Sequence, residues 1–347
     1  MSTGLYGIVN SNRSEDAHWG KNCFNSSFPA ALANYMMTKD IKAIYIRLNE
    51  KLQVVADTIS IRDVFNCGSR TPEDLYFAFE STYEPYQEFS FDNIDCIDLV
   101  IKDKWGTYLS PLEVKLTVLP TDATSHKPET EWGCELVVRS ATTSYCALGM
   151  FSELRNKAKD IREIFEPACS SIQSWDNDFE MCHKTPSLCA CVNGFQRAYY
   201  RYQKPLLMQT IWKTVGKTPS LAPQAFDIVV WSDYAFSRLF VDSSSEVQKK
   251  MSRPMRATAR LARCLWELSK SGKIRQKDIY RQMAFDNQTD KEFAIGGQKW
   301  RQYVKGNRIV RPILPSEVVH EILDAMVFSK LSPERRFDQT LYFTMNK

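Results

Sequence analysis

The chain has 347 residues, a formal net charge of +4, 44% hydrophobic residues and 25% charged residues, the composition of an ordinary globular protein with a sizeable core. No apolar run approaches the ~20 residues of a membrane-spanning helix, and the N-terminal MSTGLYGIVNSNR lacks a signal-peptide core, so a cytoplasmic protein is expected. Ten cysteines without a compact repeat, in a chain with no export signal, point to reduced and mostly buried thiols.

Along the chain, a polar, turn-rich opening is followed by a predicted helix over 29–37 and a strand over 43–48. A short strand over 58–61 comes next, then a helix over 71–82 with Thr71 at its cap, Pro72 in its first turn and Glu80 on a flank. Ile97-Asp98-Leu99-Val100-Ile101 and Pro111-Leu112-Glu113-Val114-Lys115-Leu116 read as two strands, and the turn-like 102–107 makes them hairpin neighbours. Residues 134–139 read as a third strand and about 145–164 as a helix. The stretch 167–191 reads as irregular, 193–212 as a helix, 226–231 as a strand, 254–269 and 276–283 as helices, and 315–328 as a closing helix. These elements describe a mixed α/β protein. Residues 1–165 are expected to hold the core, and 166–347 an irregular and helical region for recognition or dimerisation.

The hairpin carries the chemistry. Alternate strand residues share a face, so Glu113 and Lys115 point the same way and Asp98 on the neighbouring strand lies close. Two carboxylates held together call for a cation, and a hard divalent ion with oxygen ligands answers that need. An ammonium beside the ion can orient or activate a water, which makes a metal-assisted hydrolytic site suited to a phosphodiester. Two half-buried strands with a solvated charged face would show the same pattern. Asp95 crowds the start of the same strand and is an alternative ligand to Asp98. Basic residues outnumber acids heavily between Lys249 and Arg311, the footprint expected of a surface that meets a phosphate backbone. Cys169, Cys182, His183, Cys189 and Cys191 form a dense group, but no paired Cys-x-x-Cys knuckle is present and core thiols are the expectation over zinc.

Asp98, Glu113-x-Lys115 and the upstream Glu80 resemble the PD-(D/E)xK nuclease superfamily, with Ile97 standing where proline often precedes the first acid. The blocks Gly7-x-x-Asn10-Ser11-Asn12-Arg13 and Trp19-Gly20-Lys21-Asn22-x-Phe24-Asn25-Ser26-Ser27-Phe28-Pro29, with the strand from Leu112 to Val118, resemble the HindVP-type family of type II restriction endonucleases. The resemblance implies a restriction-endonuclease-like core, double-stranded DNA as substrate, Mg²⁺ as cofactor and a homodimer reading a short palindrome, with GRCGYC as the associated site. A cognate DNA methyltransferase would be its genetic partner. Asp98 and Glu113 would hold the metal, with Glu80 or Asp95 as further candidates, and Lys115 would position or deprotonate the attacking water. Arg13, Lys21, Asn22 and Arg139 are the candidate DNA contacts. Two other readings are a repair or structure-specific nuclease of the same fold, and a non-catalytic DNA-binding regulator.

Overall fold

The computed structural model describes residues 9–10, 21–116, 136–214, 221–244, 250–285, 293–295 and 314–315. In chain order the elements are β1 (Val9–Asn10), α1 (Lys21–Thr38), β2 (Ala43–Leu48), β3 (Val54–Ile59), α2 (Ile61–Val64), β4 (Leu75–Ser81), β5 (Ile97–Asp103), β6 (Tyr108–Leu116) and β7 (Leu136–Val138). They continue with α3 (Ser140–Glu153), α4 (Ala158–Cys169), α5 (Asp178–Tyr199), β8 (Pro205–Thr214), β9 (Leu221–Ser232), α6 (Asp233–Asp242), α7 (Arg253–Ser271), α8 (Gln276–Gln282), β10 (Phe293–Ile295) and β11 (Leu314–Pro315).

The apolar runs of β5, β6, β8 and β9 can be buried only at the centre of a sheet, and there they lie. The main sheet runs β1-β4-β5-β6-β8-β9-β2-β3, with β11 added against β9. It is mixed: β5 is antiparallel to β4 and β6, β8 is parallel to β6 and antiparallel to β9, and β2 is parallel to β9. Because side chains alternate, each strand feeds two cores. One face buries Phe77, Phe79, Leu99, Ile101, Leu112, Val114, Met208 and Val230 against Ala30, Ala33 and Met36 of α1 and Ile61 and Val64 of α2. The other buries Ala78, Val100, Leu207, Val229 and Trp231 under α3 to α7. Helix α7 sits at the heart of that second layer, with Leu261, Ala262, Cys264, Leu265 and Leu268 all fully buried.

Several sequence expectations change. The helix expected over 71–82 is one 3-10 turn, Pro72–Asp74, followed by β4. The Asp74 carboxylate accepts from the Thr71 backbone N–H at 3.0 Å and from its hydroxyl at 3.2 Å, but this closes only that turn. Beyond it, Leu75, Phe77 and Phe79 are buried on one face while Tyr76 is exposed, an alternation that suits a strand. The strand expected over 58–61 starts earlier, at Val54, and Ile61–Val64 is helical, capped by Ser60. The long helix expected over about 145–164 is two, α3 and α4, joined through Leu154 and a 3-10 turn. The stretch read as irregular is largely α5, and Pro186 is accommodated inside it. The helix expected over 193–212 stops at Tyr199, and Pro205 opens β8. The sheet therefore crosses the boundary expected near residue 165, because β8 and β9 lie between β6 and β2. The third predicted strand, β7, pairs with β10 in a separate two-stranded sheet. The closing helix over 315–328 lies outside the described residues, apart from Pro315 at the end of β11. Among the described residues, no helix is long and apolar enough to cross a membrane.

Asp233 opens α6 from a buried position where its Oδ1 accepts from the backbone N–H groups of Lys204 (3.0 Å) and Tyr234 (2.8 Å). Burial pushes its carboxyl up to about 7, against the two backbone hydrogen bonds. A folded value above the ordinary aspartate value of about 3.9 means that Asp233 supports folding below that value and that its support is lost as pH rises through the folded one. Stability measured by urea denaturation should therefore decline between about pH 4 and pH 7. Asp233→Asn, which keeps the acceptor, should flatten that decline; an unchanged profile would show that Asp233 does not titrate in this range.

Candidate active site

The hairpin of β5 and β6 is closed by Asp103, whose Oδ1 accepts from the backbone N–H groups of Trp105 (3.0 Å) and Thr107 (2.8 Å). Gly106 supplies a left-handed residue at φ 90°. Arg70 pairs with the same aspartate at 2.8 Å and fixes the turn from outside. Register then does the rest. Leu99 opposes Leu112 and Val100 opposes Pro111, so the start of β5 meets the end of β6.

There the structure brings Asp98, Glu113 and Lys115 together, on the face covered by the helices. Asp98 Oδ2 accepts from the backbone N–H of Val114 at 2.9 Å and from Lys115 Nζ at 3.3 Å. Lys115 Nζ also donates to Glu113 Oε1. The ammonium thus lies between two carboxylates that would otherwise repel each other. Burial pushes Glu113 above its usual range and the Asp98 charge adds to this, while Lys115 and a hydrogen bond from the Thr142 hydroxyl pull it back. For Lys115 burial acts downward, but Glu113 and Asp98 outweigh it and hold the ammonium well above the ordinary lysine value. The Glu113 side chain is 7% exposed, those of Lys115 and Asp98 about a quarter, so the cluster opens to solvent on the Asp98 side.

Glu80 lies on β4 rather than on a helix. Its strand neighbours Phe79 and Ser81 pair with Leu99 and Ile97, which sets Glu80 across from Asp98. Its backbone is left-handed, φ 44°, a conformation that costs a non-glycine residue of order 1–3 kcal/mol and is held by its surroundings. Asp95 is turned away, towards α8. Its backbone N–H donates to Gln276 Oε1 (3.3 Å), its backbone carbonyl accepts from Tyr145 (2.7 Å), and its carboxyl, raised by burial, has Lys277 and the Tyr280 hydroxyl beside it. Thr142, on the first turn of α3, is a site residue that sequence reasoning missed; no local pattern joins it to Glu113, because tertiary packing alone does.

Of the expected DNA contacts, Arg13 lies outside the described residues, and Lys21 and Asn22 begin α1 with their side chains outside them. Arg139 is exposed and precedes α3. The basic run splits. Arg256, Arg260 and Arg263 are buried in the second core layer rather than displayed. Burial lowers Arg260 to about 10, with Arg256 adding to the effect, and its guanidinium donates to Ser140 Oγ at 2.8 Å. The cysteine group disperses as well: Cys169, Cys182, Cys189 and Cys191 are buried while His183 is exposed and packs on Phe179. Among the described residues no group of three or more His, Cys, Asp or Glu stands ready for a metal ion.

A mixed sheet between two helical layers is the architecture of a restriction-endonuclease-like fold, here with acids and a lysine converging on adjacent strands. The chain belongs to the HindVP restriction endonuclease family, whose sequence model matches residues 19–347. It is therefore a nuclease, a hydrolase that acts on DNA. It is 33% identical to the type II restriction enzyme HgiDI of Herpetosiphon aurantiacus, over 98% of this chain and 96% of that protein. It is 29% identical to the probable type II restriction enzyme HindVP of Haemophilus influenzae, over 97% of this chain and 92% of that protein. No solved structure matches the chain.

The ion pair should be visible in stability. Glu113→Gln and Lys115→Met, made singly and together and compared in urea without added metal, should be non-additive by about 0.5–3 kcal/mol, the double variant costing less than the sum. Additive costs would show that the two side chains do not interact.

Proposed function

We propose that the chain is a type II restriction endonuclease that hydrolyses phosphodiester bonds of double-stranded DNA at a short palindromic site, with Mg²⁺ as its cofactor. The observation that carries this reading is the convergence of Asp98, Glu113 and Lys115 at the β5–β6 register. The type II description of both relatives supports it.

The donor set suits a hard divalent cation. Two carboxylates against one ammonium leave a net negative charge, and burial together with Asp98 already disfavours the charged form of Glu113. Asp98 and Glu113 would hold the ion, with Glu80 the nearest further acid by register. The ion, when bound, would stabilise negative charge that develops on the phosphate. Lys115, held in its charged form by the two acids beside it, would be a donor that orients the attacking water and neutralises phosphate charge. The Val114 N–H fixes the Asp98 carboxylate, and Thr142 fixes Glu113 from α3. Asp95, occupied with α8, suits a structural role better than a ligand role.

A homodimer would put one such centre on each strand of a two-fold sequence. The family resemblance suggests GRCGYC as that sequence and a DNA methyltransferase as the genetic partner. A repair nuclease or a non-catalytic regulator is disfavoured by membership of a restriction endonuclease family over most of the chain.

DNA of known sequence, incubated with the protein and Mg²⁺ and mapped at its ends, should give discrete fragments cut at one recurring sequence. Asp98→Ala and Lys115→Ala should each lower cleavage by several orders of magnitude while leaving specific binding in Ca²⁺ largely intact. Full activity in either variant would remove that residue from the chemistry, and uniform degradation or mere retardation of DNA would overturn the assignment.

A further inference from the structure

Part of the basic run, Lys270, Lys273 and Arg275, gathers at one corner. Helix α7 ends at Gly272, left-handed at φ 73°, and the chain turns through Lys273 and Ile274 into α8. Between them lies a concavity of about 310 Å³ with Phe91, Lys270, Lys273 and Arg275 on its walls. Phe91 is 54% exposed, a large aromatic surface left open to water. The Arg275 guanidinium lies 4.9 Å and Lys273 Nζ 5.8 Å from its ring centre, and Lys270 Nζ lies 5.2 Å from that of Trp266.

The charges here do not cancel. The two acids that line the concavity are each paired with an arginine, Glu267 with Arg263 on the same wall at 2.8 Å and Asp278 with Arg281 at 2.7 Å. Lys270 and Lys273 pair with no carboxylate among the described residues, and Arg275 reaches only Asp92, at 3.9 Å. Lys270 can be accounted for by the negative C-terminal end of α7. Lys273 and Arg275 lie past the Gly272 cap and cannot. Lys273 and Arg275 beside the Phe91 ring, with Lys270 on the same wall, leave an excess of positive charge among the described residues that favours a multiply charged anion.

Position narrows the choice of anion. The corner is fastened to the segment that delivers Asp98. Phe91 N–H donates to the Ile274 carbonyl and Ile274 N–H to the Phe89 carbonyl, each at 2.9 Å, and Gln276 Oε1 accepts from Asp95 N–H. Asp95 lies three residues before Asp98, so the corner and the candidate site share one short stretch of chain. We propose that the α7–α8 corner, with Lys273 and Arg275 beside Phe91 and Lys270 on the same wall, is a docking surface for the phosphate backbone of the DNA substrate. The proposal rests on the nuclease reading above and adds residues to it. Backbone contacts position a duplex without reading its sequence, so these residues set affinity and register rather than the choice of site.

The test uses the full chain carrying Lys270→Ala, Lys273→Ala and Arg275→Ala together, with the charge-preserving set Lys270→Arg, Lys273→Arg and Arg275→Lys as control. DNA binding in Ca²⁺ is measured over a range of salt. Each lost phosphate contact removes about 0.9 from the slope of log affinity against log salt. The alanine set should therefore flatten the slope by roughly 2–3 and weaken binding at low salt at least ~10-fold, equally for specific and unrelated duplexes. The control set should keep both slope and affinity, and an unchanged urea midpoint in the alanine set would confirm that it is folded. An unaltered slope and affinity in a folded alanine set overturns the proposal while wild-type cleavage leaves the nuclease reading standing. Failure of the wild-type protein to cut or bind DNA overturns both. Inorganic pyrophosphate separates the two sources of phosphate: saturation of the corner by pyrophosphate with no effect of the alanine set on DNA binding would assign it to a free anion instead.

Discussion

Lys115 stands between Asp98 and Glu113, and the arrangement of the centre follows from that contact. Two carboxylates on adjacent strands, one of them almost wholly buried, repel each other and have lost much of their hydration. An ammonium placed between them makes the pairing tolerable and, in doing so, is itself locked in its charged form. Every element nearby keeps the three in place. The turn at Asp103 sets the register, the Val114 N–H holds one acid, and α3 brings Thr142 to the other. The cluster is enclosed on the Glu113 side and opens to solvent on the Asp98 side.

The two faces of the sheet divide the work. The α1 face carries a continuous apolar core and serves as foundation. The other face carries both the second core and, at its margin, the charged centre, so the same alternation that buries Val100 and Leu207 directs Asp98 and Glu113 towards the helical layer. Placing the charged cluster on central strands rather than on loops gives it little freedom to move. The left-handed Glu80, opposite Asp98, is the exception in an otherwise regular stretch of sheet.

The hairpin was legible because its signals are local. Two apolar runs and a short polar turn define β5 and β6, and alternation then determines which side chains meet. Strands β2 and β9 were readable for the same reason. Misreadings arose where a local signal was correct but its reach was not. Thr71 and Pro72 do cap a turn, yet the aromatic residues that follow need burial on a sheet. Tyr and Arg around residue 200 suit a helix, while Leu206, Leu207 and Met208 just beyond Pro205 are buried in the sheet core. Cysteines and polar residues over 178–191 look irregular in sequence, although packing against α7 winds them into α5. The buried arginines of α7 mark the limit of charge counting, since a basic residue in a sequence does not announce whether it faces water. The Thr142 contact depends on how α3 docks, which no local pattern encodes.

Strand β6 takes its second edge from β8, with Glu113 beside Leu207 and Lys115 beside Gln209, and between them the chain lays down three helices. A nascent polypeptide that has already made Asp98, Glu113 and Lys115 still lacks the neighbour that encloses the latter two. Such non-local parallel pairing is slow to close. Enclosure of the Asp98–Glu113–Lys115 cluster would thus wait until well over half of the protein has left the ribosome, an order of assembly written into the strand sequence of the sheet.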